Sequence, residues 1–142
     1  MAELHPQLAK DSVVLGQFLL SKLLLMKDAN YPWLILVPDR DAVSEIFQLD
    51  EADQQQLQRE SNCIARLLVN EFDADKINIG ALGNIVPQLH IHHIARYTND
   101  PAWPAPVWGA CPAKVYSDIE LEKTVSKIKA VLAEQFDFLP NS

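Results

Sequence analysis

Six consecutive residues, Trp33-Leu34-Ile35-Leu36-Val37-Pro38, carry no charged or amide side chain, and no other stretch constrains the fold as tightly. The run is β-prone and ends on a proline. It follows Lys27-Asp28-Ala29-Asn30-Tyr31-Pro32, which is turn chemistry. Before that turn, Val13 to Met26 is rich in Leu, Val and Phe and is broken by Gly16 and by Ser21-Lys22. Periodicity alone does not decide such a run, but the turn after it does. Gln17–Met26 and Trp33–Val37 therefore read as the two strands of an antiparallel hairpin. The first 12 residues, with Pro6 and scattered polar groups, read as an arm or short helix packed onto the body.

Residues 51–71 predict a helix. Asp50 is a good N-cap, Glu51 and Asp53 place negative charge at the positive end of the helix dipole, and no Gly or Pro interrupts. Leu57, Ile64, Leu67, Leu68 and Phe72 share one face, opposite Gln55, Arg59, Arg66 and Asn70. Lys76–Ile79 and Val86–Tyr97 read as strands joined around Gly80 and Gly83. A last helix is expected from Ser117, with Ser117 and Glu120 as a capping box, Tyr116 and Leu121 as a hydrophobic staple, and Leu121, Val125, Ile128 and Leu132 as its buried stripe. Between them, positions 99–112 hold four of the nine prolines, which makes a stiff, irregular loop. Strands with short connections suit hairpins, so the expected class is α+β: an antiparallel sheet with helices on one face.

Composition narrows the function. A chain of 142 residues with 49% hydrophobic side chains is neither disordered nor long enough for two independent cores. It reads as one domain over 1–142, with its core at about 15–135. Twelve Lys and Arg against nineteen Asp and Glu give a net charge of -7, which repels a nucleic-acid backbone while leaving room for one small phosphate pocket. Cys63 and Cys111 lack metal-knuckle spacing and read as reduced thiols. No apolar run approaches the ~20 residues of a membrane span, and the start has no basic segment. The expectation is a cytoplasmic protein with neither membrane nor nucleic acid as partner.

Three of the four histidines fall in Pro87-Gln88-Leu89-His90-Ile91-His92-His93-Ile94-Ala95-Arg96. Side chains alternate along a strand, so Gln88, His90 and His92 are expected to share one face, with Leu89, Ile91 and His93 on the other. Two imidazoles at i and i+2 can serve a metal, since His-x-His presents two nitrogens to zinc, copper or iron. A third ligand is then needed, and the remaining histidine, His5, lies in the arm. The other chemistry is nucleophilic attack by imidazole on phosphorus. A histidine at its ordinary pKa of about 6.5 offers a lone pair at pH 7 without an external base. A second histidine beside it can orient the first or serve the departing oxygen. Asn78-Ile-Gly-Ala-Leu-Gly-Asn84 supplies amides, and glycines that let backbone N–H groups approach a phosphate.

Gln88-Leu-His-Ile-His-His-Ile94 resembles the signature of the histidine triad (HIT) superfamily of nucleotide hydrolases and transferases, His-φ-His-φ-His-φ-φ with φ apolar. The resemblance takes in the Asn78…Gly83-Asn84 loop, the Leu34–Pro38 strand, the acid-capped helix and the Trp-rich loop, roughly residues 15–110. It implies a five-stranded antiparallel sheet with two main helices, and a homodimer in which strands of two subunits continue one another. It also implies that His90 attacks the α-phosphate of a purine nucleotide to form a nucleotidyl-histidine that water cleaves. His92 would bond the transferring phosphate or leaving oxygen, and Asn78, Gly83 and Asn84 would lie near phosphate and ribose. An apolar cleft near Leu25 or Ile35 would take the base. Arg96, of the same parity as His90, is a candidate phosphate ligand or a surface ion pair. His93 reads as a core or interface group.

The implied substrates are dinucleoside polyphosphates and adenylylated amines. No cofactor is required, although a divalent cation can travel with the substrate. Two positions depart from the family pattern. Gln88 stands where the first histidine belongs and can orient a ring but not titrate, and Trp33 stands where a fourth histidine would fall. A non-catalytic nucleotide-binding module and a His-x-His metalloenzyme therefore remain as alternatives. Trp103 and Trp108 form either a wall over the leaving group or an aromatic plug.

Overall fold

The computed structural model describes residues 2–134 and 137–141. Its frame is a six-stranded antiparallel sheet, built from β1 (Ser12–Gln17), β2 (Ser21–Met26), β3 (Trp33–Pro38), β4 (Lys76–Gly80), β5 (Ile91–Arg96) and β6 (Leu139–Pro140), in the order β4-β5-β3-β2-β1-β6. The apolar run of β3 is central, paired with β2 on one side and β5 on the other, and all six of its residues are buried. Three α-helices complete the fold among the described residues: α1 (Pro6–Asp11), α2 (Glu51–Phe72) and α3 (Asp118–Ala133). The α+β class holds, with five main strands and a two-residue sixth at the edge. The expected end of the core, residue 135, lies outside the described residues.

Three elements differ from the sequence reading. The strand expected over Gln17–Met26 is shorter, Ser21–Met26: residues 18–20 turn, and Gln17 ends a separate strand, β1, that pairs with β2 as a hairpin. That turn has no Asn-Gly or Pro signal of its own. Its Leu20 N–H is received by the carboxylate of Glu60, 40 residues away on α2, at 2.9 Å. The strand expected at Val86–Tyr97 begins only at Ile91, because Pro87 has no N–H to give and the Leu89 N–H turns aside to the Val43 carbonyl at 3.0 Å. The terminal strand β6 exists because residue 16 is glycine: a Cβ there would collide with the Leu139 carbonyl and the Phe138 ring.

Alternation along the strands divides the core. Leu23, Leu25, Leu34, Leu36, Ile91 and Ala95 face α2 and α3, where they meet Leu57, Ile64, Leu68, Ile128 and Leu132. Burial of each such leucine contributes about 1.5–3 kcal/mol. The opposite parity, Leu24, Ile35, Val37 and Ile94, packs under Leu8 of α1 and Val107 of the proline-rich loop. Both faces are thus covered, one by the two long helices and the other by the arm and the loop. The N-caps are as expected, Asp50 accepting from the Asp53 N–H at 2.8 Å and Ser117 from the Glu120 N–H at 3.1 Å; at Ser117 this is a simple cap, without the return bond to the Glu120 side chain that a capping box has. Among the described residues, no helix is long and apolar enough to cross a membrane.

Candidate active site

His90 lies one residue before β5 and His92 is its second residue, and both face the arm-and-loop side of the sheet. Their ring centroids are 5.0 Å apart. Both line a cavity of about 510 Å³ whose other walls are Leu8 and Asp11 of α1, Met26, Ile35, the segment 82–86, and Trp108. Gly83 sits in the left-handed region at φ 74°, which turns the segment after β4 back across the mouth of the cavity. Asn84, Gly83 and Ile35 line this cavity together with the two histidines.

The hydrogen bonds of the rings fix their tautomers. The Nδ1 of His90 lies 2.8 Å from the Gln88 carbonyl oxygen. An oxygen of that kind only accepts, so Nδ1 carries the proton and the lone pair is left on Nε2. For His92 the order is reversed. The indole N–H of Trp33 donates to His92 Nδ1 at 2.9 Å, so Nδ1 is bare and Nε2 carries the hydrogen. One wall thus presents a nucleophilic nitrogen beside an N–H donor. Burial pushes the His92 pKa down to about 3, helped by the neighbouring His90 and His93, so this ring is neutral at pH 7.

His93 is on the other face, fully buried against α2, as the core reading anticipated. Its Nδ1 donates to the Ile91 carbonyl at 3.0 Å, and the Ser61 hydroxyl donates to its Nε2 at 2.7 Å. Burial lowers its pKa to about 4.

Three expected site residues lie elsewhere. The Gln88 amide does not orient a histidine: its oxygen accepts from the His5 N–H at 2.8 Å and its nitrogen donates to the Glu3 carbonyl at 3.0 Å. It departs from the histidine face because residue 88 precedes the strand and strand alternation does not reach it. Asn78 accepts from Arg96 at 2.7 Å and does not line the cavity. Arg96 is neither a phosphate ligand nor a surface group. It is 1% exposed, and it bonds Asp100 at 2.8 and 3.1 Å and the Ala105 carbonyl at 2.8 Å, with the Tyr31 and Trp103 rings flanking its guanidinium. Burial on its own would raise the Asp100 carboxyl. The Arg96 guanidinium and the amides of Tyr97 and Trp103 instead hold it at about 2. The contacts with Asp100, Ala105 and Trp103 tie β5 to the proline-rich loop, while those with Asn78 and Tyr31 tie it to β4 and to the turn before β3. Leu25, suggested for the base, belongs to the helix side of the sheet.

Sequence reasoning missed α1 as part of this site and read Trp33 only as a missing histidine; of the two tryptophans weighed as a wall or a plug, Trp108 lines the cavity and Trp103 stacks on Arg96. Trp33 pairs with Ile94, and Ile35 with His92, so Trp33 and His92 are diagonal neighbours on one face of adjacent strands. That relation depends on register, which no local signal in the sequence supplies. The Trp108 ring lies 5.4 Å from the His92 ring and 6.4 Å from that of Trp33, closing the wall.

The family model described as HIT domain matches residues 7–99. No curated protein matches the chain. Among solved structures, a histidine triad protein from Bradyrhizobium japonicum is 47% identical with a TM-score of 0.88, over 90% of this chain and 96% of that one. A histidine triad protein from Marinobacter aquaeolei VT8 is 43% identical with a TM-score of 0.91, over 94% and 98% of the two chains. One from Sinorhizobium meliloti 1021 is 44% identical with a TM-score of 0.87, over 90% and 95%. With the imidazoles of His90 and His92 paired at the start of β5, the chain belongs to the histidine triad family.

Proposed function

We propose that this protein is a nucleotidyl hydrolase or transferase that removes a nucleoside monophosphate from a phosphoanhydride or phosphoramidate through a covalent intermediate on His90. The observation that carries the reading is the pair of tautomers: a lone pair on His90 Nε2 beside an N–H on His92 Nε2, both lining one cavity of about 510 Å³. In the first step His90 Nε2 forms a bond to the α-phosphorus, and the bond from phosphorus to the leaving oxygen or nitrogen breaks. The leaving group takes its proton from solvent where it needs one. The ring becomes cationic, and the Gln88 carbonyl on Nδ1–H stabilises that charge. His92 donates its Nε2–H to a phosphoryl or leaving oxygen, where negative charge develops, and remains neutral. Water then attacks phosphorus and gives up a proton to solvent, the P–N bond breaks, and the lone pair returns to His90. An alcohol or amine in place of water gives transfer.

Leu8, Met26 and Ile35 form the apolar wall for a purine, and Gly83 and Asn84 lie at the mouth as donors. The chain's own groups carry every step without a cofactor, and a divalent cation can enter with the substrate. The His-x-His metal reading needs a third ligand, and no group of three His, Cys, Asp or Glu is placed to hold an ion among the described residues. We include in the proposal a homodimer through the β4 edge of the sheet, where Ile79 is 53% exposed, and a cytoplasmic location.

The test is base-quenched mass spectrometry during turnover of a diadenosine polyphosphate or an adenylylated amine. The chain plus one nucleotidyl group is expected, and it should vanish in His90→Ala together with turnover. Stabilisation by AMP without turnover of any substrate would favour a binding module. Full turnover by His90→Ala would overturn the mechanism.

A further inference from the structure

Residue 88 holds two walls of the cavity at once. Its backbone carbonyl receives the His90 Nδ1–H at 2.8 Å, which sets the nucleophile. Its side chain reaches away from the histidines and spans two backbone groups of the arm, accepting from His5 and donating to Glu3. His5 in turn starts α1, since its own Nδ1 accepts from the Gln7 N–H at 3.0 Å. Helix α1 then presents Leu8 and Asp11 to the cavity, opposite the histidines. A primary amide suits this task, because it offers an acceptor and a donor on one rigid plane, and no neutral imidazole tautomer can meet a peptide N–H and a peptide carbonyl in that fork geometry.

We propose that Gln88 is a positioning residue for the nucleotide-binding wall: it clamps residues 3–5, and through them fixes α1 against the nucleoside part of a nucleoside monophosphate substrate. The inference rests on the nucleotidyl-transfer reading of the cavity. It changes what the departure at the first signature position means. That position serves substrate binding through the arm, and the His90 tautomer stays in the care of the backbone. The arm has a second tether, Ala2 N–H to Asp39 at 2.6 Å with Lys22 on the Ala2 carbonyl at 3.1 Å, so losing the Gln88 amide loosens α1 without releasing the arm.

The experiment compares wild type, Gln88→Ala and Gln88→Glu by steady-state kinetics on diadenosine polyphosphate, by AMP titration, and by amide hydrogen exchange. Loss of both side-chain bonds in Gln88→Ala is expected to raise KM and the AMP dissociation constant about tenfold, with kcat and its pH profile within about twofold of wild type. Amides of residues 4–11 are expected to exchange faster in the same variant. Gln88→Glu keeps the acceptor for His5 and loses the donor to Glu3, so its KM should fall between the two. A fall in kcat at unchanged KM would overturn the inference, since it would mean that the side chain acts on His90. Unchanged KM with unchanged exchange over residues 4–11 would overturn it as well. A wild-type protein that neither binds AMP nor turns over the substrate would overturn the functional reading, and this inference with it. A wild type that does both, beside an unaltered Gln88→Ala, would overturn this inference alone.

Discussion

Replacing Trp33 with phenylalanine removes one N–H and leaves the rest of the cavity in place. In the native protein that N–H meets His92 Nδ1 at 2.9 Å, on a ring that is 5% exposed. Water cannot take over, so the variant holds a buried acceptor without a donor, at a cost of about 1–3 kcal/mol. The ring has two ways to relieve this: it can rotate, or it can move its proton to Nδ1. Either takes the Nε2–H away from the cavity. If that relief returns the full 1–3 kcal/mol, the competent arrangement falls to a fraction of its population, by about 5-fold to 150-fold. We therefore expect kcat to drop between about tenfold and a hundredfold, and the melting temperature to fall by several degrees. Nitrogen-15 NMR of the imidazoles reports the tautomer directly, whatever the substrate. A folded Trp33→Phe protein that keeps hydrogen on His92 Nε2, with kcat within twofold of wild type, would refute the reasoning.

Asp100→Asn leaves the guanidinium of Arg96, 1% exposed, without its countercharge, and should cost about 3–5 kcal/mol in urea denaturation at pH 7. Because the Asp100 carboxyl is held at about 2 in the fold, below its ordinary value of about 3.9, its contribution is complete above pH 4 and is lost as pH falls through 2; about 2–3 kcal/mol of the difference between wild type and variant should disappear across that window. His92 and His93, neutral in the fold with pKa values of about 3 and 4, bind protons on unfolding once pH is below about 6.5. Wild-type stability should therefore fall from pH 6.5 toward pH 4, by about 1.4 kcal/mol per unit for each ring once it titrates in the unfolded chain, and a flat profile between pH 6.5 and 4.5 would contradict their burial as neutral groups.

What the sequence shows of this protein follows from range. Helix α2 and the cap at Ser117 are written within a few residues, and the structure repeats them. The alternation of His90 and His92 is equally local and places both rings on one face. The hairpin turn at residues 18–20 is not local, since the carboxylate that receives its N–H comes from α2. Gln88 and Asn78 were misassigned for the same reason. Each has the right residue type at the right spacing, but the partner that claims its side chain, the arm for one and Arg96 for the other, is chosen by tertiary contacts. Trp33 is the converse case. It reads as a missing histidine, yet it supplies the donor that sets the tautomer of His92.

The buried pair of Arg96 and Asp100 bears on how such a site can change over evolution. Arg96 ends the strand that carries the reactive ring, and its partners Asp100 and Ala105 belong to the loop that delivers Trp108. The histidines and the Trp108 beside them therefore share a single hinge pin, and neither can drift without dragging the other. Substitutions along the loop can reshape the aperture for a new departing group, while the spacing between indole and imidazoles travels with the strand as one inherited unit.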